Sequence, residues 1–187
     1  MHIQNSRSRR LNGHDYSNAG AYFITICTKN RMPFFGTIES GELNQTAPAI
    51  IAHDIWNQIP IQFPFAELDE FVIMPDHIHG IIIINGSPNP VGTRLIACLQ
   101  DLQESEQQTG GFAGYQNPMF HQNLSRIIRW YKGRCAFEIR KSGALFEWQF
   151  NYYEHIIRDT ESFERICKYI RDNPKNYKSE SPSWVRD

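Results

Sequence analysis

The chain has 187 residues, 41% of them apolar and 13% aromatic, which excludes wholesale disorder and favours one domain over residues 1–187. Its net charge of −1, taken as an average, argues against a polyanionic partner. The average hides two basic blocks, because residues 1–35 carry five basic side chains against one acidic, and residues 120–141 carry six against one. Residues 36–119 carry one basic side chain against ten acidic ones, and this acidic segment offsets the two basic blocks in the net charge. Nucleic acid therefore stays a candidate partner, although a basic block is more commonly the solvated face of a helix.

The hydropathy pattern excludes two classes of protein. The longest apolar region, 71–84, is interrupted by Pro75, Asp76 and two histidines, so no segment is expected to span a bilayer and the chain is expected to be soluble. The first ten residues are polar and basic with no apolar stretch directly behind them, so no secretory signal is expected and the default location is the cytoplasm. The four cysteines form no CxxC pair and predict no disulfide framework or zinc ribbon, with Cys27 and Cys135 expected in the core.

The first half of the chain predicts three strands and one helix. Residues 21–28, AYFITICT, are aromatic and β-branched and predict the first strand. Residues 49–59 have isoleucines near helical spacing, with Pro48 suited to a first helical turn and Pro60 to its end, which predicts a helix. Residues 68–84 contain two β-rich runs broken by a Pro-Asp dipeptide and predict two strands joined by a sharp bend.

The middle of the chain predicts a loop followed by a basic helix. Residues 85–119 are rich in Gly, Pro, Ser, Asn and Gln and predict a long loop insertion, with a short helix around 95–102. Residues 124–141 combine one apolar stripe with six basic side chains and predict a long amphipathic helix.

The last third predicts a fourth strand and a final helix. Residues 146–158 are aromatic and β-prone, and a helix capped by Thr160 or Ser162 is expected to run through Asn173 and stop at Pro174. The order β-α-β-β-α-β-α predicts an α+β fold, a ferredoxin-like (RRM-like) antiparallel sheet with helices on one face plus a C-terminal helix. The other face is then free to carry a site.

His77 and His79 are the first candidate site residues. They lie two apart in a predicted strand, so both side chains point to the same face of the sheet. Such a pair can supply two imidazole ligands to a metal ion. The alternative is one core histidine and one surface histidine, and the pair alone leaves this open.

The final helix carries a second candidate group. Arg165, Tyr169 and Asn173 follow each other at i, i+4 and i+8 and form a polar stripe beside Lys168 and Arg171. Tyr169 is either an amphipathic tyrosine at the edge of the sheet or a nucleophile activated by neighbouring cations for phosphoryl transfer.

Four segments, in order, carry a resemblance to a known family. They are DYSNAGAYFITICTKNR (15–31), LDEFVIMPDHIHGIIII (68–84), EWQFNYYEHIIR (147–158) and KYIRDNP (168–174). Together they resemble the REP-associated tyrosine transposases, single-tyrosine transposases of the HUH nuclease superfamily. The resemblance covers about residues 10–177.

The resemblance implies a site. His77 and His79 would bind Mg²⁺ or Mn²⁺, and Tyr169, in the helix just before an Asn-Pro, would be the catalytic nucleophile. The third metal ligand would fall on Asn173, an amide that binds a hard cation more weakly than a carboxylate does. Tyr152 and Tyr153 are competing tyrosines, ranked lower because a predicted strand position does not match the helix of the family.

The resemblance also implies an activity. Family members are DNA-binding endonucleases and strand transferases that cut single-stranded DNA beside short hairpins through a 5′-phosphotyrosine intermediate during DNA transposition and recombination. The residues expected to contact DNA are Arg126, Arg129, Lys132, Arg134, Arg165 and Lys168, with Arg7, Arg9 and Arg10 in a mobile arm over residues 1–11. Few phosphates would be contacted, so a shallow salt dependence is expected. The chain would act as a monomer or a homodimer.

Two alternatives remain open. The first is a non-catalytic, domesticated nucleic-acid-binding module, because RNA-recognition domains use a sheet of the same kind. It would favour stacking aromatics where this sequence places His77 and His79. The second is a replication initiator or relaxase with the same histidine pair, although the chain has no GxxxxGK[ST] phosphate loop.

Overall fold

The computed structural model describes residues 19–85 and 124–177. The predicted arm over 1–11, the predicted helix around 95–102 and nearly all of the predicted loop lie outside the described residues. The strands are β1 (Gly20–Cys27), β2 (Gly36–Glu39), β3 (Glu42–Gln45), β4 (Ala66–Met74), β5 (His77–Ile84) and β6 (Tyr153–Ile157). The helices are α1 (Ala47–Asn57), α2 (Ile59–Gln62), α3 (Leu124–Lys141) and α4 (Thr160–Asn176), with a 3₁₀ turn at Lys29–Arg31.

Four strands form one antiparallel sheet in the order β4-β5-β1-β6. The predicted α+β class and antiparallel sheet are therefore confirmed. In the register of the two central strands, Thr25 pairs with His79 and Cys27 with His77. The two strands around the Pro-Asp bend are paired as predicted, although β4 begins at Ala66 and contains an irregularity between Leu68 and Phe71.

One face of the sheet is closed by α1 and α3. Alternate residues of β1 and β5, such as Ile24 and Ile78, pack there against Trp56 of α1 and Tyr131 of α3 in a continuous apolar core. The Trp56 ring stacks on Phe71 with centroids 4.4 Å apart. Burial of these large side chains supplies the main driving force for this half of the fold.

The opposite face carries a smaller core under α4. Phe163, Cys167 and Ile170 of α4 pack on Ile81 of β5 and Ile157 of β6. Helix α4 therefore covers only part of this face, and the ends of β1 and β5 that carry Thr25 and His79 stay beside it. Within the described ranges, no helix combines the length and apolar character needed to cross a membrane.

The predicted fourth strand was too long. Only Tyr153–Ile157 forms a ladder with β1, and Trp148 makes an isolated bridge to Thr28, beside which the Gln149 N–H donates to the Cys27 carbonyl at 2.9 Å. Between this bridge and β6 the ladder is interrupted, and the Lys132 ammonium donates to the carbonyl oxygens of residues 149, 150 and 151 at 2.7, 2.9 and 3.4 Å. The aromatic, β-prone composition of residues 146–158 does not indicate that the backbone carbonyls of residues 149–151 bond to a lysine side chain of α3.

Two helix ends differ from the prediction. Asp159, and not Thr160 or Ser162, caps α4, because its carboxylate accepts from the Ser162 backbone N–H at 2.7 Å. The helix also continues past Pro174 to Asn176, since the φ of proline is itself helical and the last turn closes through the Tyr177 N–H and the Pro174 carbonyl at 3.4 Å.

The hairpin β2-β3 was not predicted. Its two-residue turn has positive φ at Ser40 (53°) and Gly41 (83°), the geometry that matches the twist of antiparallel strands.

Cys27 also differs from its prediction, because it is only partly buried and faces the site described below, whereas Cys135 is fully buried as expected.

Candidate active site

The two histidines lie on one face of β5, as the two-residue spacing predicted. Both are buried, with 8% of His77 and 6% of His79 exposed. Their Nε2 atoms are 3.1 Å apart. Because the strand pleat directs both rings toward the same point, the site is built into the geometry of a central strand.

The outer nitrogens of both rings are held by neighbours. Nδ1 of His77 is 2.5 Å from Oδ1 of Asp76, and Nδ1 of His79 is 2.8 Å from the Thr25 hydroxyl on β1. An ionised carboxylate can only accept, so Nδ1 of His77 is the donor in its contact with Asp76. Burial, with the charge of His77, lowers the pKa of His79 to about 3, so this imidazole is neutral at neutral pH.

Asp76 connects the histidine pair to Arg31. Its second carboxylate oxygen, Oδ2, is 3.2 Å from Arg31 Nε. Although burial acts in the other direction, the hydrogen bond and charge of His77 and the charge of Arg31 lower the pKa of Asp76 below its usual value. The carboxylate is therefore ionised at neutral pH and serves both partners.

Tyr169 is brought to the histidines by α4. Its phenol oxygen lies 3.4 Å from Nε2 of His79, and its ring packs edge-on against Phe23 with centroids 6.1 Å apart. Phe23 in turn stacks on the His79 ring at 5.3 Å. The tyrosine is 51% exposed, so its oxygen is accessible to a ligand that enters beside the sheet.

A cleft of about 630 Å³ surrounds these side chains. It contains the predicted stripe of α4, with Arg165, Lys168, Tyr169 and Asn173 all lining it. The structure therefore brings together the predicted nucleophile, the three predicted metal ligands and two of the predicted DNA contacts.

The donor set fits a divalent cation. Two imidazole nitrogens that bind one ion at about 2.1 Å lie roughly 3 Å apart, close to the separation of the two Nε2 atoms. Each ring is also oriented by a partner on its other nitrogen, the usual arrangement of histidine ligands. Asn173 lines the same cleft and offers an amide oxygen. Within residues 19–85 and 124–177, no group of three His, Cys, Asp or Glu residues is placed to hold a metal.

The competing tyrosines lie elsewhere. Tyr152 packs toward α3, where its hydroxyl is 3.2 Å from the Ser125 hydroxyl. Tyr153 is half exposed on the face of the site and meets Phe23 edge-on at 6.5 Å. Neither lines the cleft.

Three of the basic side chains of α3 lie across the sheet from the cleft. Arg126, Arg129 and Arg134 border a second groove beside Phe63 and Trp130, with the Arg126 guanidinium 5.7 Å from the Phe63 ring centroid. Helix α3 packs on the face opposite the histidines. The predicted DNA contacts thus fall into two groups on opposite faces. Lys132 has its ammonium bonded to three backbone carbonyls, as described above.

Sequence reasoning missed six residues of the cleft. They are Thr25, Cys27, Arg31, Asp172, Asn176 and Tyr177. Arg31 belongs to a quoted motif, and period-two alternation places Thr25 and Cys27 on one face of β1. Only the β1–β5 register, however, puts them opposite the two histidines.

Fold and site together describe an α+β protein with a tyrosine beside a histidine pair on an antiparallel sheet. A protein of Haemophilus influenzae described as uncharacterized is 37% identical over 177 residues, covering 92% of this chain and 89% of its own length. The chain belongs to the same family as that protein.

Further comparisons concern transposases. A protein of Haemophilus influenzae named "Putative REP-associated tyrosine transposase" is 26% identical over 161 residues, covering 86% of this chain and 73% of its own length. The solved structure of a REP-associated tyrosine transposase bound to a REP hairpin has a similar fold, with a TM-score of 0.55 at 18% identity, covering 89% of this chain and 73% of that one. No family model matches the chain.

Proposed function

We propose that this protein is a metal-dependent single-stranded DNA endonuclease and strand transferase, a transposase that acts beside DNA hairpins in the cytoplasm. The observation that carries the proposal is the Tyr169 phenol oxygen 3.4 Å from His79 Nε2, which is itself 3.1 Å from His77 Nε2. The similarity to a protein named as a REP-associated tyrosine transposase supports it. The strand order, with α1 and α3 on one face and α4 on the other, supports a ferredoxin-like description.

Tyr169 is the proposed nucleophile. Its oxygen attacks phosphorus in a phosphodiester bond, a P–O bond to the tyrosine forms, and the bond to the 3′ oxygen breaks. The phenolic proton leaves through solvent, which reaches the half-exposed ring, and a proton ends on the released 3′-OH. Strand transfer is the reverse reaction with a different 3′-OH, so no external energy source is required.

His77, His79 and Asn173 are the residues that would hold Mg²⁺ or Mn²⁺. When bound, such an ion supplies charge neutralisation on the phosphate oxygens. The contributions of the chain itself are orientation and access. Asp76 and Thr25 hold the two imidazole rings in place, while α4 presents the tyrosine at the open side of the cleft.

The two groups of basic side chains fit a DNA substrate that has a base-paired hairpin stem and an unpaired strand. Arg165 and Lys168 line the cleft and would bind the phosphates of the unpaired strand. Arg126, Arg129 and Arg134 on α3 would follow the backbone of a stem. The solved structure of the transposase bound to a REP hairpin supports a hairpin as the folded part.

A covalent-adduct assay tests this function. The protein is incubated with Mn²⁺ or Mg²⁺ and a labelled hairpin oligonucleotide that has single-stranded flanks, then separated on a denaturing gel. We expect an adduct with the wild type, none with Tyr169→Phe, and little or none with His77→Ala. Tyr153→Phe is the matched control, because it removes a hydroxyl from an exposed tyrosine on the same face that does not line the cleft. An adduct that persists in Tyr169→Phe and disappears in Tyr153→Phe would contradict the choice of nucleophile.

A non-catalytic nucleic-acid-binding module is the second candidate. The observation that favours it is the donor set, since within the described ranges no third His, Cys, Asp or Glu joins the two histidines. Tight hairpin binding with no cleavage of any hairpin, in either metal, would select this function.

A further inference from the structure

The backbone around Arg31 adopts an uncommon conformation directly after β1. In the turn Lys29–Arg31, Asn30 has φ 53° and Arg31 has φ 56°, so two consecutive residues with side chains occupy the left-handed region. This region is unfavourable for residues other than glycine, and asparagine tolerates it better than arginine does. Such conformations persist where surrounding structure holds them, and they are concentrated at functional sites.

The turn aims the guanidinium of Arg31 into the cleft, where two contacts hold it. Nε is 3.2 Å from Oδ2 of Asp76, and Nη1 donates to the Cys27 sulfur at 3.1 Å. The other oxygen of Asp76 accepts from His77. One carboxylate thus ties the guanidinium to the histidine pair and sets its position relative to the site.

These contacts leave binding capacity on the guanidinium. An arginine has five N–H donors, and on Arg31 one donates to the Cys27 sulfur while Nε forms the ion pair with Asp76. Among the described residues, the guanidinium makes no hydrogen bond besides the one to Cys27. The side chain is 55% exposed and lines the same cleft as Tyr169 and Lys168. A planar fork of donors beside a second cation matches the oxygens of a phosphodiester.

Stability alone does not account for this arrangement. In the ion pair of Arg31 with Asp76 the arginine is half exposed, so the pair contributes little to folding because solvent reaches it and ordering the arginine opposes it. The left-handed backbone at two residues acts against folding as well. A contact made only when substrate is present would explain why the turn is kept.

We propose that Arg31 binds a phosphate of the single-stranded DNA that enters the Tyr169 cleft. The inference rests on the proposed function, since it names a contact between that site and its substrate. Arg31 is a binding residue in this scheme, and its link to His77 through Asp76 sets the distance between the bound phosphate and the histidine pair.

Binding is measured in a Tyr169→Phe background, so that no reaction occurs, with fluorescein-labelled oligothymidine over a range of salt concentrations. We expect Arg31→Gln to weaken binding roughly tenfold, as for loss of a charged hydrogen bond. The slope of log affinity against log salt should fall by about 0.7, the value for one single-stranded phosphate contact. Arg31→Lys should keep the slope and lose part of the affinity, because it keeps the charge without the fork.

Arg171→Gln is the matched control. Arg171 also pairs with a carboxylate on the sheet, Glu70 at 3.5 Å, but it does not line the cleft. The DNA affinity of Arg171→Gln and the salt dependence of that affinity should equal those of the parent protein. Thermal unfolding of each variant checks that the fold is intact, and the lysine variant keeps the test readable if the glutamine variant is less stable.

Binding of Mn²⁺ without DNA separates a direct contact from an indirect one. If Arg31 contacts phosphate, Arg31→Gln binds Mn²⁺ as the parent does. Weakened Mn²⁺ binding with an unchanged DNA salt slope would overturn the proposal and leave Arg31 as a positioning residue for His77. DNA affinity and slope equal to those of the parent would overturn it as well.

The outcome is distinguishable from failure of the proposed function. If the wild type forms no covalent adduct but Arg31→Gln still lowers affinity and slope, the cleft binds DNA and the catalytic proposal fails alone. If the wild type forms the adduct and Arg31→Gln binds and reacts equally well, the Arg31 proposal fails alone. A wild type that binds no single-stranded DNA contradicts both.

Discussion

The phenol oxygen of Tyr169 lies 3.4 Å from Nε2 of His79, although the two residues are 90 positions apart in the chain. The contact exists because α4 packs its apolar stripe on the same face of the sheet that carries the histidines. A residue at the next helical turn, Asn173, then lines the same cleft. The packing of α4 therefore brings Tyr169 and Asn173 to the histidine pair, which β5 itself assembles.

Loss of the Thr25 hydroxyl should impair the site. Thr25→Val leaves Nδ1 of His79 without its partner at 2.8 Å, so the ring is less well oriented. Loss of such an outer partner typically lowers metal affinity or activity about 10- to 100-fold, which we expect for Mn²⁺ binding and for the rate of adduct formation. Thr37→Val, at an exposed position of the β2–β3 hairpin, is the control and should change neither quantity. Wild-type Mn²⁺ affinity in Thr25→Val would contradict the assigned role.

Basic residues on α3 should control affinity for the hairpin stem and leave the cleft chemistry intact. Arg129→Gln should weaken hairpin binding about equally for different stem sequences and reduce the salt slope by about 1, because a backbone contact carries no base readout. The total slope should be shallow, since few basic side chains border the groove. Measurement of hairpin affinity against salt checks this. A sequence-dependent loss would point to base contact instead.

Gly80 should not tolerate a side chain. A Cβ there would lie 2.4 Å and 2.7 Å from two Trp56 ring atoms and 3.2 Å from Phe71, in a stacked pair that cannot move without disturbing the core. We expect Gly80→Ala to lower the free energy of unfolding by about 1–3 kcal/mol, as overpacking does. Gly133→Ala is the control: a Cβ on that helical glycine meets nothing within 4 Å, so it should be neutral or stabilising by up to about 1 kcal/mol. Chemical denaturation of both variants gives the comparison.

The cap of α4 should make stability depend on pH. Hydrogen bonds from the Ser162 N–H and hydroxyl lower the pKa of Asp159 below its ordinary value of 3.8. A carboxyl whose pKa is lower in the folded state stabilises the fold above its unfolded pKa and loses that contribution as pH falls through the folded value. The melting temperature of the wild type should therefore exceed that of Asp159→Ala at neutral pH by more than it does well below pH 3.8.

Asp159→Asn supplies the control for this dependence. An asparagine also caps a helix but does not titrate, so its advantage over Asp159→Ala should not shrink on acidification. Thermal melts of the three proteins across acidic pH distinguish the cap from the other carboxylates, which are common to all of them. Equal acid sensitivity of the aspartate and asparagine proteins would assign the effect elsewhere.

Local pattern was sufficient for most of the fold. Period-two spacing put His77 and His79 on one face, and helical spacing put Arg165, Tyr169 and Asn173 on one stripe, because both depend only on backbone geometry. The predicted fourth strand was too long because the β-propensity of this segment comes from aromatic residues, which are also favoured wherever large rings pack in a core. In the structure the Trp148 ring packs against Phe35 and donates to the Lys132 carbonyl, and its backbone makes an isolated bridge to Thr28 and not a ladder.

By itself, the sequence determined the class of fold, the shared face of the histidines and the stripe that contains the tyrosine, since these follow from residue types at fixed spacings. Only the tertiary structure decided that the stripe meets the histidines, that Thr25 and Arg31 join them, and that the basic helix lies across the sheet. Strand register and helix docking are set by burial of distant apolar residues, which no short segment encodes. The net charge of −1 does not show where the charges lie. In the structure, cationic side chains border the cleft on one face of the sheet and the α3 groove on the other.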